Sequence, residues 1–298
     1  MAAGPVPIDD RCMKNFNLFH KRGDVQTLKG QPWAPRWWAV LAVGLVLWIA
    51  TVATAFLTLN LILLPTIVLL GSFLIPVTAV VWYLDHDPSP ALSPRRIGSA
   101  FIVAGVMGAL AASLLEFWFV SGPGLVGMLK VGLIEEFVKG AAIVMFALGL
   151  RSFATRDGMV LGATVGFGFA ALESSGYALA SLFVVQGGQL YLSLSSVVFT
   201  ELVRGLLAPV GHGLWSAILG GVIFHYAGKG HPRAAASLIA AYLGVSLLHA
   251  AYDLFGGIPG YIVVSMIGIV PLVYVWWRAD RGFGFGRRAM TVGEVVGS

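Results

Sequence analysis

Cysteine and charged residues are the scarcest features of this 298-residue sequence. The single cysteine, Cys12, excludes an internal disulfide framework and argues against a cysteine nucleophile. Asp, Glu, Lys and Arg make up only 11% of the residues, whereas a soluble domain carries about 25%. With 58% hydrophobic residues and a mean hydropathy of +0.86, the chain is expected to be one membrane-embedded helical bundle rather than one or two soluble domains.

The first 36 residues contain no apolar run and mix acidic with basic side chains, so no cleavable signal peptide is predicted. We expect 1–36 to be a cytoplasmic tail, 37–278 a transmembrane helical domain, and 279–298 a disordered cytoplasmic tail rich in Gly and Arg. The formal net charge is +5. Most basic residues flank apolar stretches, which indicates membrane topology and lipid contact rather than binding to nucleic acid.

Eight apolar stretches are long enough to cross a bilayer as helices. They run over 37–59, 61–84, 97–120, 125–150, 159–184, 202–226, 234–255 and 261–278. The predicted fold class is therefore an all-α, polytopic transmembrane bundle of about eight spans. The apolar patch 190–200 could extend the sixth span or lie on the membrane surface.

Lys and Arg are absent from four alternate connections, near Asn60 and within 121–124, 186–189 and 256–260. The other connections and both tails carry them. Because basic residues are retained on the cytoplasmic side, both termini are predicted to be cytoplasmic. This arrangement requires an even number of spans, which agrees with eight.

Many ionisable residues nevertheless fall in or near the spans, although each charge at a helix centre costs on the order of 3 kcal/mol. Such groups must pair, face the bundle interior or line water. They are Glu116, Lys130, Glu135, Glu136, Lys139, Glu173, Glu201, Arg204, His212, His249 and Asp253.

Four-residue spacings place several of these side chains in pairs on one helix face. The pairs are Glu135 with Lys139, Phe169 with Glu173, and His249 with Asp253. Glu136 points about 100° away from Glu135. Any one pair could be a structural polar clamp between helices. However, Glu135, Glu173, His212 and His249 all lie roughly 9–16 Å below the predicted external ends of their spans. A shared depth favours one common site.

Two familiar hydrolase motifs are missing, the Gly-x-Ser-x-Gly elbow and the His-Glu-x-x-His zinc motif. Their absence leaves one mechanism of peptide hydrolysis, in which a carboxylate activates the attacking water. Two adjacent glutamates in a low dielectric do not both ionise easily, so the pair could supply a base and an acid. Glu, His and Asp side chains also suit Zn²⁺ or Mn²⁺. No ligand spacing is diagnostic of a metal site, so we expect no cofactor.

The three motifs together, Glu-Glu-x-x-Lys, Phe-x-x-x-Glu and His-x-x-x-Asp in this order, resemble the PrsW family of bacterial intramembrane proteases. That family is related to the CAAX prenyl protease and bacteriocin-processing superfamily. The stretch containing Arg204, Pro209 and 212–215 resembles the family helix between the second and third motifs. The resemblance covers about 125–253. Ser174 stands where the family is expected to have Asn, and its role stays open.

The resemblance implies a glutamic-type endopeptidase in the bacterial cell membrane. Following the first glutamate of the wider superfamily, Glu135 is the water-activating base and Glu136 the secondary acid or a structural partner. Glu173 is expected to help hold the water.

His249 and Asp253 are expected to bind or polarise the scissile carbonyl, with Asp253 fixing the imidazole. His212 is either a second donor or structural. Lys139, Phe169 and Arg204 are supporting residues. Glu201 and Arg204, one turn apart, are predicted to form a structural ion pair, and Glu116 and Lys130 receive no role.

The resemblance also implies a single-pass membrane-protein substrate, such as an anti-sigma factor, cut near its external face at the start of regulated proteolysis. Two alternatives stay open. Intramembrane carboxylates and histidines also suit a proton-coupled transporter or channel, although no inverted repeat supports it. The chain could also be a membrane scaffold with a degenerate protease site.

Overall fold

Eight α-helices make up most of the residues that the computed structural model describes, which are 36–283 except 87, 123 and 228–233. In chain order they are α1 (Trp37–Thr58), α2 (Leu64–His86), α3 (Pro94–Phe119), α4 (Leu125–Ala147), α5 (Thr155–Ala180), α6 (Leu194–Tyr226), α7 (Ala234–Phe255) and α8 (Gly257–Phe283). A short 3₁₀ helix, Leu61–Leu63, precedes α2. Each helix corresponds to one predicted span. Nearly all of the two predicted tails lies outside the described residues.

Six of the described helices are long and apolar enough to cross a membrane: α1, α2 with its 3₁₀ turn, α3, α6, α7 and α8. The other two, α4 and α5, have 23 and 26 residues. α4 carries Lys130, Glu135, Glu136 and Lys139, and each of these lowers its mean hydropathy. The protein is thus a polytopic, all-α membrane bundle, as the sequence predicted.

A β-hairpin, which the sequence analysis missed, links α5 to α6. Strand β1 (Phe183–Gln186) pairs antiparallel with β2 (Gln189–Leu192). Gly187 and Gly188 form the two-residue turn with φ of 57° and 78°, the left-handed values that such hairpins require. Gly-Gly between two short apolar runs was the available signal. The patch 190–200 is therefore divided between β2 and α6.

Helix α6 extends the sixth span towards its N-terminus, beginning at Leu194 rather than 202. Ser193 caps it, since the Ser193 hydroxyl accepts from the Ser196 N–H at 3.2 Å. The helix lies deep in the bundle, and every residue from Gly211 to Gly221 is buried. Gly166 of α5 lies against the backbone carbonyl of His212, where a Cβ atom would collide. This close approach places His212 beside α5.

The orientation of the bundle stays a prediction, and reporter fusions can test it. Reporters fused after Ser121 and Gly257 should be external, and those fused after Arg96 and Arg156 cytoplasmic. The expected pattern follows from the absence of Lys and Arg in alternate connections. An external C-terminal reporter would contradict the eight-span topology.

Candidate active site

Two glutamates and a lysine of α4 form a buried charged cluster. Glu135, Glu136 and Lys139 are 5%, 0% and 1% exposed. The Lys139 ammonium donates to Glu135 Oε2 at 3.2 Å and to Glu136 Oε1 at 2.8 Å. The predicted pairing of Glu135 with Lys139 is present. The flexible lysine stem also reaches Glu136, so one cation compensates both carboxylates.

His249 of α7 contacts the same two glutamates. Its Nδ1 lies 2.9 Å from Glu136 Oε1, while its Nε2 lies 3.5 Å from Glu135 Oε2 and 3.4 Å from Asp253 Oδ2. Asp253 was expected to fix this imidazole. That contact is present, and Glu136 on a neighbouring helix accepts a shorter hydrogen bond from Nδ1. Asp253 is within one helical turn of the α7 end, has a side chain that is 27% exposed, and contacts the opposite nitrogen.

His212 of α6 joins the cluster through its two ring nitrogens. Nδ1 lies 2.7 Å from Lys139 Nζ, and Nε2 lies 3.0 Å from Glu173 Oε2. If the lysine donates to Nδ1, the imidazole proton resides on Nε2 and is donated to Glu173. The second oxygen of Glu173 lies 3.0 Å from Arg204 Nη2. Glu173 therefore orients His212 and is itself held by Arg204.

The predicted ion pair between Glu201 and Arg204 was wrong. Arg204 pairs with Glu173, and its guanidinium lies 3.8 Å from the ring centroid of Tyr177. Glu201 is buried and accepts from the Ser72 hydroxyl of α2 at 2.9 Å. The two residues are one turn apart in sequence, but each points to a different neighbouring helix.

An aromatic ring packs against each histidine. The ring of Phe169 stacks on His212 with centroids 5.7 Å apart, and Lys139 Nζ lies 4.3 Å from the same phenyl centroid. Trp215, which is fully buried, stacks on His249 at 4.7 Å. Sequence analysis proposed Phe169 but gave Trp215 no role. Its position one turn after His212 on α6 was the signal that could have found it.

A cavity of about 640 Å³ leads to this cluster at the end of the bundle where α5 ends and α6 begins. Its polar lining comprises Ser113, Glu116, Glu135, Glu173, Tyr177, Arg204, Asp253 and Tyr261. Glu136, His212 and His249 are not among its lining residues, although His212 contacts Glu173 and His249 contacts Glu135, which are. Of the two adjacent glutamates, Glu135 is thus the one that a substrate or water in the cavity can reach.

Three residues without an assigned role have different surroundings. Glu116 lines the cavity. Lys130 donates to the backbone carbonyl of Phe119 at 2.9 Å, which satisfies an acceptor at the C-terminus of α3. Ser174 is buried, and its hydroxyl makes no hydrogen bond to the described part of the chain.

One set of side chains has the donor types of a metal site. Glu135, His212 and His249 offer ligand atoms that all lie within 4.8 Å of one another, and all three residues are buried. One glutamate and two histidines suit Zn²⁺. However, Lys139 Nζ already contacts Glu135 and His212. An ion at this position would share two ligands with the lysine and would be repelled by its charge.

Comparison with known proteins defines the class. A family model described as PrsW family intramembrane metalloprotease matches residues 95–276, more than half of the chain. The chain therefore belongs to the PrsW family, and the resemblance drawn from the three motifs is confirmed. Over 138 residues it is 32% identical to Protease PrsW of Geobacillus kaustophilus (strain HTA426), covering 45% of this chain and 53% of the relative. The match thus spans about half the length of that relative. No solved structure matches the chain.

Proposed function

We propose that this protein is an intramembrane endopeptidase in which Glu135 activates water to hydrolyse a peptide bond of a membrane-protein substrate. The observation that carries the proposal is the position of Glu135. It lies at the inner wall of a cavity, between the lysine of its own helix and the histidine of α7. Membership of the PrsW family supports proteolysis rather than transport.

The proposed reaction requires one base, one donor and one proton transfer to the leaving group. Glu135 takes a proton from water as the oxygen attacks the scissile carbonyl carbon. When the C–N bond breaks, Glu135 returns that proton to the amine. His249 does not line the cavity itself, but its Nε2 contacts Glu135 at 3.5 Å and Asp253 at 3.4 Å, and both of these residues line it. With Nδ1–H donated to Glu136, the imidazolium form has a second N–H on Nε2, which would donate to the developing oxyanion once substrate fills the cavity.

The surrounding groups position these two residues. Glu136 holds Nδ1 of His249, and Lys139 compensates the carboxylates of Glu135 and Glu136. Glu173, anchored by Arg204, holds His212 and lines the cavity, where it can bind the water. The hydrolytic step thus draws on residues from α4, α5, α6 and α7.

The proposal includes hydrolysis without a metal ion, because Lys139 already provides a positive charge at the centre of the cluster. If a divalent ion were bound by Glu135, His212 and His249, it would act as a Lewis acid and acidify a bound water. The donor types fit such an ion, and the family description names a metalloprotease. The position of the lysine is the reason to favour the metal-free form.

Chelation distinguishes these two forms of the site. We expect purified protein to keep its cleavage rate after treatment with EDTA or 1,10-phenanthroline, since Lys139 rather than an ion compensates the carboxylates. The measurement is the initial rate of substrate cleavage before and after chelation. A loss of activity that one added metal restores would show that the site is a metal centre.

The proposed substrate is a single-pass protein of the bacterial cell membrane, such as an anti-sigma factor, cut near its external face. Two observations support this class. The cavity lies at the end of the bundle that is predicted to be external, and the glutamate at its inner wall is about three helical turns from the start of α4. A substrate cut there need not enter the cytoplasmic half of the bundle.

The experiment that tests the function compares membrane proteins from cells with and without this protein. New N-termini are identified by mass spectrometry after selective labelling of α-amines. We expect at least one single-span protein to gain a new N-terminus at the external end of its span. If none appears and proteoliposomes carrying the protein instead show proton or solute flux, the transporter alternative replaces the protease.

A further inference from the structure

The hairpin between α5 and α6 has two differently composed faces. Phe183, Val185, Leu190 and Leu192 point to one face, and each side chain is at least 55% exposed. The other face is mixed and carries Val184 and Tyr191 together with Gln186 and Gln189. An apolar face of this kind suits the boundary between bilayer and water, where one side of the hairpin meets lipid. At that boundary the hairpin would be close to the place where a membrane-spanning substrate leaves the bilayer.

The pairing register determines which backbone groups of β1 have no partner within the hairpin. Ser193 N–H donates to the Leu182 carbonyl at 2.8 Å, so these two residues form a hydrogen-bonded pair. Hydrogen-bonded and non-hydrogen-bonded pairs alternate along an antiparallel ladder. The N–H and C=O groups of Phe183 and Val185 therefore point away from β2. Among the described residues, no third strand pairs with them.

The free edge of β1 borders a groove of about 710 Å³. Residues 183–185 form one wall, and Ser195, Ser196, Phe199 and Thr200 of α6 contribute to the other. Successive side chains of a strand point to opposite faces. Because three consecutive residues line the groove, the edge of the strand faces it. The groove thus offers backbone donors and acceptors on one side and hydroxyl groups on the other.

Hydrolysis of a peptide bond near the membrane requires a partner for the unwound backbone of the substrate, and a free strand edge can be that partner. A scissile bond is accessible only where the substrate helix has unwound, and each backbone group left unpaired in a bilayer costs several kcal/mol. A strand edge can pair with these groups, as in other proteins that bind peptides by strand addition. Position also favours this use, since Ala180 lines the active-site cavity and β1 begins three residues later.

We propose that the free edge of β1 binds the unwound, extended segment of the substrate as a third strand and guides it into the cavity. This inference rests on the proposed function, because the occupant is the substrate of that reaction. The hydrogen bonds come from the backbone of Phe183 and Val185, so binding is expected to tolerate many substrate sequences. The groove side chains would favour small or apolar residues in the substrate.

Proline substitutions on the two strands provide a matched test. Val185→Pro removes an N–H from the free edge of β1, whereas Leu190→Pro removes one from the outer edge of β2. The two residues are cross-strand partners, and neither N–H is needed for the hairpin. The probe is the single-span protein that gains a new N-terminus in the experiment above. We expect Val185→Pro to lower kcat/KM by roughly 3- to 10-fold and Leu190→Pro to leave it near the wild-type value.

Photo-cross-linking supplies a second measurement that does not depend on turnover. In the Glu135→Gln background, a photoreactive residue at Val184 should cross-link to the probe. The same residue at Tyr191, its cross-strand partner, should not. Equal kcat/KM values for wild type and Val185→Pro, or equal losses in both proline variants, would overturn strand pairing. The absence of any cleavage by the wild-type protein would instead refute the proposed function.

Discussion

Glu135→Gln is expected to abolish substrate cleavage while leaving the bundle folded. The amide is nearly the same size as the carboxylate, so packing at this buried position changes little. It cannot accept a proton, and the general-base contribution of roughly 10²–10⁴-fold is lost with it. The measurement is the single-turnover cleavage rate of the identified substrate by purified protein, together with the melting temperature.

Glu201→Gln is the matched control for this variant. Glu201 is also a buried glutamate, 2% exposed, but it bonds to Ser72 and does not line the cavity. Its substitution should change stability while leaving the cleavage rate near that of the wild-type protein. If Glu135→Gln cleaves at the wild-type rate, the base has been misassigned. Proton or solute transport that is lost in the same variant would then become the function to pursue.

Lys139→Met should strongly destabilise the protein and also impair cleavage. The ammonium is bonded to both glutamates and to His212, and its side chain is fully buried. Removing one partner of a buried ionic group typically costs about 3–5 kcal/mol, because the remaining charges are left uncompensated. The measurement is the free energy of unfolding in detergent, with cleavage assayed below the melting temperature.

Lys130→Met provides the comparison on the same helix. Lys130 donates to an exposed backbone carbonyl, so its loss should cost only about 1 kcal/mol. Adding Glu136→Gln to Lys139→Met should recover part of the lost stability, since one uncompensated carboxylate is removed. If Lys139→Met unfolds like the wild-type protein, the lysine is not the compensating charge, and the metal-free interpretation loses its main support.

Local sequence signals predicted several parts of this protein correctly. The seventh helix has the predicted bounds, 234–255. Whether a segment of about twenty residues can span a bilayer depends on its own hydropathy, which is a local property of the sequence. The pairing of Glu135 with Lys139 also follows from local geometry, since residues four apart lie on one helix face. The same argument gave a wrong prediction of an ion pair between Glu201 and Arg204. These residues lie one turn apart but have partners on different helices.

Contacts between distant parts of the chain account for most of what was missed. Glu136 and His249 are 113 residues apart in sequence, and only helix packing brings them within 2.9 Å. The contact of Asp253 with the imidazole was predicted from spacing on one helix and is present, but the shorter bond to Glu136 crosses to α4. Trp215 had no motif to mark it, and its stacking on His249 depends on how α6 meets α7.

The sequence by itself therefore determined the class of fold and the number of helices. It also identified the ionisable residues within the spans, which are too costly in a membrane unless they pair or serve a function. Hydropathy, helical spacing and motif order are all carried by neighbouring residues. Only the tertiary structure decided that Glu135 alone of the two glutamates faces the cavity, that Glu136 holds His249, and that one edge of β1 has no partner strand among the described residues. These features depend on distances between helices and strands, which are set by packing rather than by local preference.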